Sequence, residues 1–336
     1  MPVFVRYLTC FLIIQGCIWA GAHTLYRKDK AEEFVGGYLT ASIDKHHLLV
    51  QQPSPRIVFV GGSNLAFGLN SSEIERSLGY HPINMGLHIG LGLDFMLNEV
   101  EPFLKPNDVV VLSPEYEEFV DKYYSGNAET LFEEIEVQPR SIQFFTLRNL
   151  AVLLDQGFII IGNITRLSIS SLSMHLLGEK VRSNLMARQD NPYRRSAFNQ
   201  FGDVTAHEGL APRDFSVAQI APPTPDSIHR AINRLNTFSK HCQQKGVLVF
   251  YSYPPLFQGQ MQENAHMIHE IASSLGYQLT FPLLDTPEEL SFPLDHLFDS
   301  YNHLNIVGKQ IRTGHLIERL RNRLPGEHSV SLTSHR

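Results

Sequence analysis

Three side chains of this 336-residue chain have the types that serine-nucleophile chemistry requires. Ser63 follows a short apolar run and two glycines. His303 lies in a turn rich in Asp, Ser and Asn, and Asp299 precedes it by four residues. A serine nucleophile needs a base such as histidine within hydrogen-bond reach, and an acid can hold the imidazole in its active tautomer. The residue types therefore predict Ser63 as nucleophile, His303 as general base and Asp299 as the orienting acid.

The segment before Ser63 is typical of a buried strand that ends in a tight turn. Residues Ile57–Val60 are β-branched or aromatic, which suits a strand buried on both faces. Gly61 and Gly62 lack the Cβ atoms that would keep a substrate away from the backbone. Open α/β sheets place their chemistry just past the carboxyl ends of such strands. An ordinary strand-to-helix turn that happens to contain a serine would have the same residues, so the interpretation of Ser63 depends on the rest of the chain.

Strand and helix patterns alternate on both sides of an irregular middle segment. Apolar runs predict further strands at 82–86, 109–112, 247–251 and about 277–281. Periodic apolar positions predict helices over 71–78, 90–104, 141–155, 226–244, about 261–275 and 306–324. This alternation predicts an α/β fold with a central parallel sheet and right-handed crossovers. The less regular region of about 120–225 is expected to be an insertion that shapes substrate choice.

Residues 1–26 are expected to be a signal-anchor or a signal peptide. Tyr7–Tyr26 has no formal charge and is long enough to span a bilayer. The stretch also ends in Ala20-Gly-Ala22, which fits a signal peptidase site, so anchor and cleaved signal both remain open. A lipoprotein site at Cys17 and a buried N-terminal helix are weaker alternatives. We expect the globular part to lie outside the cytoplasm, because a soluble α/β body behind one apolar leader is most often exported.

The remaining segments are assigned by composition. Residues 27–55 are polar and are expected to form a juxtamembrane helix and linker, and residues 325–336 a polar tail. The apolar run Phe158–Leu177 is interrupted by polar residues such as Asn163 and Arg166. It is interpreted either as a helix packed on the body or as a surface that meets a membrane or a partner. It is too polar to predict a second membrane span.

Composition argues against several classes of function. The net charge of −6 and the absence of a basic stripe argue against nucleic acid as a partner. Cys10 and Cys17 lie in the N-terminal apolar stretch, which leaves Cys242 alone in the globular part, so neither a disulfide framework nor a cysteine metal site is expected. The sixteen histidines are scattered, and His266 and His269 fit a solvated helix face better than a metal site. We predict no metal and no cofactor.

Three short blocks resemble the SGNH (GDSL-type) hydrolase superfamily. Gly61–Gly68 is similar to its first block, in which the serine follows the first strand, and Asp299–Asn305 to its last block, which carries the acid and the base. Asn84-Met-Gly86 is similar to the second block, whose glycine offers a backbone N–H to the oxyanion. The resemblance implies an SGNH-like domain over residues 56–324, built as a three-layer, flavodoxin-like sandwich around a parallel sheet. It also implies an oxyanion hole made by the Ser63 N–H, the Gly86 N–H and the Asn64 side chain.

Two positions depart from the superfamily pattern. The third block normally supplies an oxyanion-hole asparagine after the third strand, but here Ser113-Pro-Glu115 follows. The Glu115 carboxylate would repel an oxyanion unless it points elsewhere or binds a substrate cation. The acid usually lies three residues before the histidine, where this chain has Ser300. These departures and the apolar leader resemble the branch that works on the bacterial envelope, which includes D-alanyl transfer proteins of teichoic acid and acetylation proteins of exopolysaccharides.

The resemblance implies a serine esterase or O-acyltransferase in the bacterial periplasm or at the cell surface, either anchored or secreted. Its substrate would be an envelope glycan or an acylated, lipid-linked molecule, and its partner a membrane-bound O-acyltransferase. A non-catalytic SGNH-like subunit that binds glycan or scaffolds such an acyltransferase is the alternative, which the missing asparagine favours. Phosphate binding by the glycine turn is a weaker third hypothesis, because the turn lacks the Lys-Ser/Thr pair of a phosphate loop.

Overall fold

The computed structural model describes residues 3–34, 37–176 and 191–324. Within these residues the α-helices are α1 (Val3–Phe34), α2 (Ala41–Gln51), α3 (Ser63–Ala66), α4 (Ser71–Leu78), α5 (Leu93–Val100), α6 (Asp121–Tyr124), α7 (Ala128–Val137), α8 (Leu147–Asp155), α9 (Gly157–Leu176), α10 (Pro225–Gln244), α11 (Gln258–Glu263), α12 (Ala265–Gln278) and α13 (Ile306–Arg321). The strands are β1 (Arg56–Gly61), β2 (His81–Asn84), β3 (Val109–Ser113), β4 (Leu248–Tyr251), β5 (Leu256–Phe257) and β6 (Ser291–Phe292).

A four-stranded parallel sheet in the order β2-β1-β3-β4 forms the centre of the fold. The prediction of an α/β fold with a central parallel sheet is therefore confirmed. The strand order reverses between β1 and β3, because the chain moves from β1 to one side of the sheet and then returns to build the other side. In open α/β sheets, ligands bind outside the carboxyl ends of the strands at such a switch point. The residues that follow β1 and β3 lie at this position.

Both faces of the sheet are buried under helices. Val58 and Val110 face a core that includes Leu235 of α10, and Leu97 of α5 and Ile271 of α12 also belong to this core. The alternate strand residues face the opposite way, onto a second core to which α4 and α13 contribute. Because side chains alternate between the faces of a strand, a strand covered on both faces must be apolar at every position. This explains the continuous apolar runs in the sequence.

Short capping signals set the ends of the two helices on the second face. The Asn70 side chain accepts the Glu73 N–H at the start of α4, and α4 ends at Gly79, whose φ of 70° favours glycine. The Asn305 side chain accepts the N–H groups of Val307 and Gly308 at the start of α13. Helix α13 therefore begins three residues after His303.

Three predicted elements differ from the structure. No strand forms at 277–281, because the apolar spacing of α12 continues and the helix runs through Gln278. The edge of the sheet is instead extended by one parallel bridge between Tyr251 and Leu283. The predicted helix 141–155 begins only at Leu147, after a 3-10 segment and the Thr146 cap. The predicted helix 90–104 is shortened at its start by Gly92, which has a φ of 80°, and α5 gives way to a 3-10 turn after Val100.

The N-terminal apolar stretch is helical and largely exposed. Among the described residues, Val5–Leu25 in α1 is the one stretch long and apolar enough to cross a membrane. An uncleaved anchor and a signal sequence both have this property, so the finding agrees with either prediction. Helix α9 covers most of the second apolar run and packs along α1. The predicted polar tail 325–336 lies outside the described residues.

Candidate active site

Ser63 is the first residue of α3, directly after β1. The two glycines before it are required by close packing. A Cβ on Gly61 would lie 2.3 Å from the Ser113 carbonyl oxygen, and a Cβ on Gly62 would lie 2.4 Å from the Glu115 carboxylate. At Gly61 the backbone of β3 leaves no room for a side chain, whereas at Gly62 the obstacle is the end of the Glu115 side chain.

His303 is held by the turn that leads into α13. Its carbonyl accepts the Phe298 N–H at 2.8 Å, which closes the turn. Its ring stacks on Phe67 with 4.1 Å between ring centroids and 9° between the planes. The residue is only 7% exposed. Packing and backbone bonds together fix the direction of the imidazole.

The three predicted residues form one chain of hydrogen bonds. His303 Nε2 lies 2.8 Å from Ser63 Oγ, and His303 Nδ1 lies 2.9 Å from Asp299 Oδ1. Burial raises the pKa of Asp299, but the hydrogen bond and the charge of His303 outweigh burial and hold that pKa below its ordinary value. With Asp299 ionised, these partners fit the tautomer in which Nδ1–H donates to Asp299 and Nε2 accepts from the Ser63 hydroxyl. The four-residue spacing of acid and histidine does not prevent the contact.

Tyr193 completes this chain and was not predicted from the sequence. Its hydroxyl donates to Asp299 Oδ2 at 2.8 Å and lies 3.3 Å from His303 Nδ1. Burial raises the pKa of Tyr193, and the Asp299 charge raises it further, so the hydroxyl stays a donor at neutral pH. The residue lies in the irregular segment after 190, where no local pattern distinguishes it from other loop tyrosines. It shows that the predicted insertion contributes directly to the site.

Two of the three groups predicted to bind an oxyanion, the Gly86 N–H and the Asn64 side chain, are engaged with the protein. The Gly86 N–H donates to Asn84 Oδ1 at 3.0 Å. The Asn64 side chain donates from Nδ2 to the Ser113 carbonyl at 3.0 Å, and its Oδ1 accepts from Arg312 at 3.1 Å. Neither the Gly86 N–H nor the Asn64 amide therefore points an unused donor at Ser63. An oxyanion would have to displace one of these partners or use other donors.

Glu115 lies against the nucleophile. Its Oε1 is 3.1 Å from the Asn64 N–H nitrogen and 3.3 Å from Ser63 Oγ, and the residue is 3% exposed. The Glu115 carboxylate therefore points at Ser63, the arrangement in which it would repel an oxyanion. Its own backbone N–H donates to Glu118 Oε2, which fixes the start of the turn after β3. The negative charge occupies the side of Ser63 where backbone donors would otherwise be open.

A buried arginine supports the serine turn from below. Arg312 donates to the Asn64 carbonyl at 2.7 Å and to Ser113 Oγ at 3.0 Å. Burial lowers the pKa of Arg312 to about 10, so the side chain remains charged at neutral pH. Its sequence signal was available: Arg312 is spaced by four from Leu316 and by eight from Leu320, both of which face the core. A charged residue on an apolar helix face predicts a buried partner.

A second network supports the segment after β2. Asn84 is fully buried, and its Nδ2 donates to the Leu65 carbonyl at 2.9 Å and to Asp203 Oδ1 at 2.8 Å. Asp203 also accepts the backbone N–H and the hydroxyl of Ser71. Asn84 therefore ties β2, α3 and the insertion together. Its role here is to hold the backbone around the serine turn.

Ser63 and His303 open onto a pocket of about 560 Å³. Its other lining residues come from the segment before α2, the turn after β2, the cap and body of α7, and the irregular segment after 190. They are Tyr38, Leu39, His88, Asn127, Glu129, Thr130, Glu133 and Tyr193. This volume is in the range of small-molecule sites. Burial lowers the pKa of His88, which keeps that ring neutral at neutral pH. The pocket therefore offers a ligand Ser63 Oγ, aromatic side chains and the carboxylates of Glu129 and Glu133.

Neither a scan against protein-family models nor a search of the curated proteins finds a match to this chain. Among the described residues, no three His, Cys, Asp or Glu side chains are grouped so that they could hold a metal ion.

Proposed function

We propose that this protein is a serine esterase or O-acyltransferase of the SGNH type, in which Ser63 carries the acyl group and His303 is the general base. One observation carries the proposal: the chain from Ser63 Oγ through both nitrogens of His303 to Asp299, with distances of 2.8 and 2.9 Å, opens onto the pocket. The position of Ser63 at the switch point of a β2-β1-β3-β4 sheet supports it. The SGNH-type three-layer arrangement is part of the proposal.

In the first half-reaction, Ser63 Oγ attacks the carbonyl carbon of an ester while His303 Nε2 takes the hydroxyl proton. The tetrahedral intermediate collapses, the ester C–O bond breaks, and His303 returns the proton to the leaving alcohol. In the second half-reaction, a water or a sugar hydroxyl attacks the acyl-Ser63 carbonyl while His303 takes its proton. Collapse then returns that proton to Ser63 Oγ. Hydrolysis and transfer differ only in the acceptor.

The oxyanion would be held by backbone donors at the start of α3. The N–H groups of Ser63 and Asn64 occupy its first turn, where N–H groups have no partner within the helix. The Asn64 N–H now donates to Glu115. Catalysis therefore requires the Glu115 carboxylate to move when a substrate binds, since a negative charge beside a developing oxyanion raises the barrier.

The substrate we propose is an acylated envelope glycan or lipid-linked molecule, met outside the cytoplasm in the bacterial periplasm or at the cell surface. The resemblance to the envelope branch and the apolar helix α1 support this assignment. A membrane-bound O-acyltransferase would be the partner that supplies or receives the acyl group.

A second candidate function is a non-catalytic subunit that binds glycan or scaffolds an acyltransferase. Two contacts favour it: Glu115 takes the Asn64 N–H, and Asn84 takes the Gly86 N–H. Both remove donors that an acyl-transfer site would use.

A fluorophosphonate probe separates the two functions, because it phosphonylates activated serines. The full chain in detergent is compared with Ser63→Ala and with Ser72→Ala, a partly exposed serine on α4 as the matched control. The proposal predicts labelling of the wild type and of Ser72→Ala and none of Ser63→Ala. If the folded wild type is neither labelled nor able to hydrolyse a short-chain p-nitrophenyl ester, the non-catalytic function is supported instead.

A further inference from the structure

Helices α8 and α9 expose a row of large apolar side chains away from the body. On α8, Leu147 is 85% and Leu154 is 79% exposed, and their spacing of seven puts them on one face. The row continues on both sides of α8, and we call it the α8–α9 apolar surface; its members are Ile142, Leu147, Leu154, Ile161, Ile169 and Leu176. A contiguous apolar surface of this kind normally marks a contact with another apolar phase.

The opposite face of α8 is fixed to the body. Asn149 is fully buried, and its side chain donates to the Ser125 carbonyl at 2.7 Å. Its Oδ1 also accepts the Thr146 N–H in the capping box. The apolar face of α8 therefore points outward because the polar face is held inward.

Helix α9 lies at the level of the candidate membrane span. It packs along α1, and the Trp19 Nε1–H donates to Thr165 Oγ1 at 3.4 Å. Trp19 lies inside Val5–Leu25, and Thr165 is eight residues, about 12 Å, along α9 from Gly157. A bilayer that surrounds α1 would therefore also surround this part of α9.

Several hydroxyls of α1 and α9 donate to a carbonyl of their own helix. In α9, Thr165 and Ser173 each donate to the carbonyl four residues earlier at 2.8 Å. In α1, Thr9 and Thr24 do the same at 2.8 and 2.7 Å. This arrangement lets these four side chains lie in hydrocarbon without an unpaired donor. The exposed Arg166 is the single charged residue of α9, and its long side chain can carry the guanidinium to the headgroup region.

From these contacts we infer that the α8–α9 apolar surface is a second membrane contact, seated in the bilayer beside α1. The inference does not depend on the chemistry of Ser63. It has a consequence for the pocket, because α7 packs on α8 and α9 and supplies Glu129 and Thr130 to the pocket lining. The pocket is then held close to the membrane surface, within reach of a substrate that is itself membrane-bound.

Depth-dependent quenching tests the inference on the full chain in phosphatidylcholine–phosphatidylglycerol vesicles. Cys10 and Cys17 are replaced by alanine, whereas Cys242 stays, since it is buried and burial raises the pKa of its thiol to about 12. A nitrobenzoxadiazole probe is attached to Leu154→Cys or Ile161→Cys. The control is Tyr277→Cys, a 93% exposed position on α12.

We expect acyl-chain doxyl lipids to quench the Leu154 and Ile161 probes at least twofold more than the Tyr277 probe, and aqueous iodide to show the reverse order. Iodide quenching of all three probes to the same extent would overturn the inference. Protection of the Leu154 and Ile161 probes from both quenchers would also overturn it, because it would mean that protein covers the surface. Labelling yield and circular dichroism of each variant confirm that the compared proteins are folded.

Discussion

The two sides of Ser63 differ in what they leave available to a substrate. On one side, His303, Asp299 and Tyr193 form a continuous chain of hydrogen bonds that ends at the hydroxyl. On the other side, the Glu115 carboxylate takes a backbone donor and lies 3.3 Å from the same hydroxyl. Proton transfer and oxyanion binding are thus set by separate structures: the base side is arranged for attack, while the oxyanion side is occupied by a negative charge.

Because its two sides differ in this way, the site is compatible with both proposed functions. The base side alone supports an enzyme, and the oxyanion side alone supports a binding subunit. Variants that change one side at a time separate the contribution of the base side to the reaction rate from that of the oxyanion side.

The largest effect is expected from removing the base. His303→Gln should lower kcat/KM for a p-nitrophenyl ester by about 10³- to 10⁴-fold, because His303 is the base that takes the Ser63 proton and returns it to the leaving alcohol. His266→Gln, an exposed histidine on α12, is the control and should leave the rate unchanged. A loss below about tenfold in His303→Gln would contradict the assignment of the base.

Removing the Glu115 charge on the oxyanion side of Ser63 should raise the rate of acylation. Glu115→Gln removes the negative charge and adds an amide N–H that can donate to the oxyanion, so the rate of Ser63 acylation should rise by about 10- to 100-fold. Glu117→Gln is the matched control, since the Glu117 carboxylate accepts from Tyr301 at 2.6 Å. Single-turnover kinetics measure the step. An unchanged or lower rate would show that Glu115 does not obstruct the oxyanion.

A smaller loss of kcat/KM is expected at Tyr193, which forms the far end of the hydrogen-bond chain. Tyr193→Phe removes the hydroxyl bond to Asp299, and kcat/KM should fall by about 3- to 10-fold. Because that bond helps to hold the pKa of Asp299 down, the acid limb of the pH–rate profile should move to higher pH. Tyr277→Phe, an exposed tyrosine on α12 away from the pocket, is the control and should leave the profile unchanged. A rate loss without movement of the acid limb would mean that Tyr193 only supports packing.

The smallest expected effect is on the pH dependence of stability, and it comes from Glu117, an acid close to Glu115. Burial, and then the Glu115 charge, raise the pKa of Glu117 to about 7. A folded-state pKa above the unfolded one gives stability that is present at low pH and is lost as the pH rises through about 7. Glu117→Gln lacks this loss, so its free energy of unfolding relative to the wild type should rise between pH 5 and pH 8 by on the order of 2 kcal/mol. Urea denaturation of both proteins at pH 5 and at pH 8 measures this difference in unfolding free energy. A difference that is the same at both pH values would contradict the raised pKa of Glu117.

The sequence predicted the parts of the site that depend on local pattern. The apolar run and glycines before Ser63, and the polar turn before α13 that holds His303, are recognisable within a few residues. The Tyr193–Asp299 bond was not predicted, because side-chain bonds across a fold leave no local period. The bond from the Gly86 N–H to Asn84 Oδ1 was missed although it joins residues only two apart. Long-range packing also determines which residue pairs with β4 at the edge of the sheet.

The boundaries of elements were predicted less well than their existence. The strand expected at 277–281 is absent because α12 keeps its helical spacing, and the bridge to Tyr251 comes from Leu283 instead. The buried Arg312 had a usable signal, a charge on an apolar helix face, but its partners could not be read from the sequence. What the sequence could not supply was the direction of the Glu115 side chain, which decides whether the oxyanion side is open.

Trapping the acyl-enzyme tests the central claim most directly. The full chain is mixed with a p-nitrophenyl ester, quenched in acid within the first turnover, digested and analysed by mass spectrometry. We predict an acyl adduct on the peptide that contains Ser63, more abundant in Glu115→Gln and absent in Ser63→Ala. An acyl adduct on a different residue, or ester hydrolysis that persists in Ser63→Ala, would contradict it.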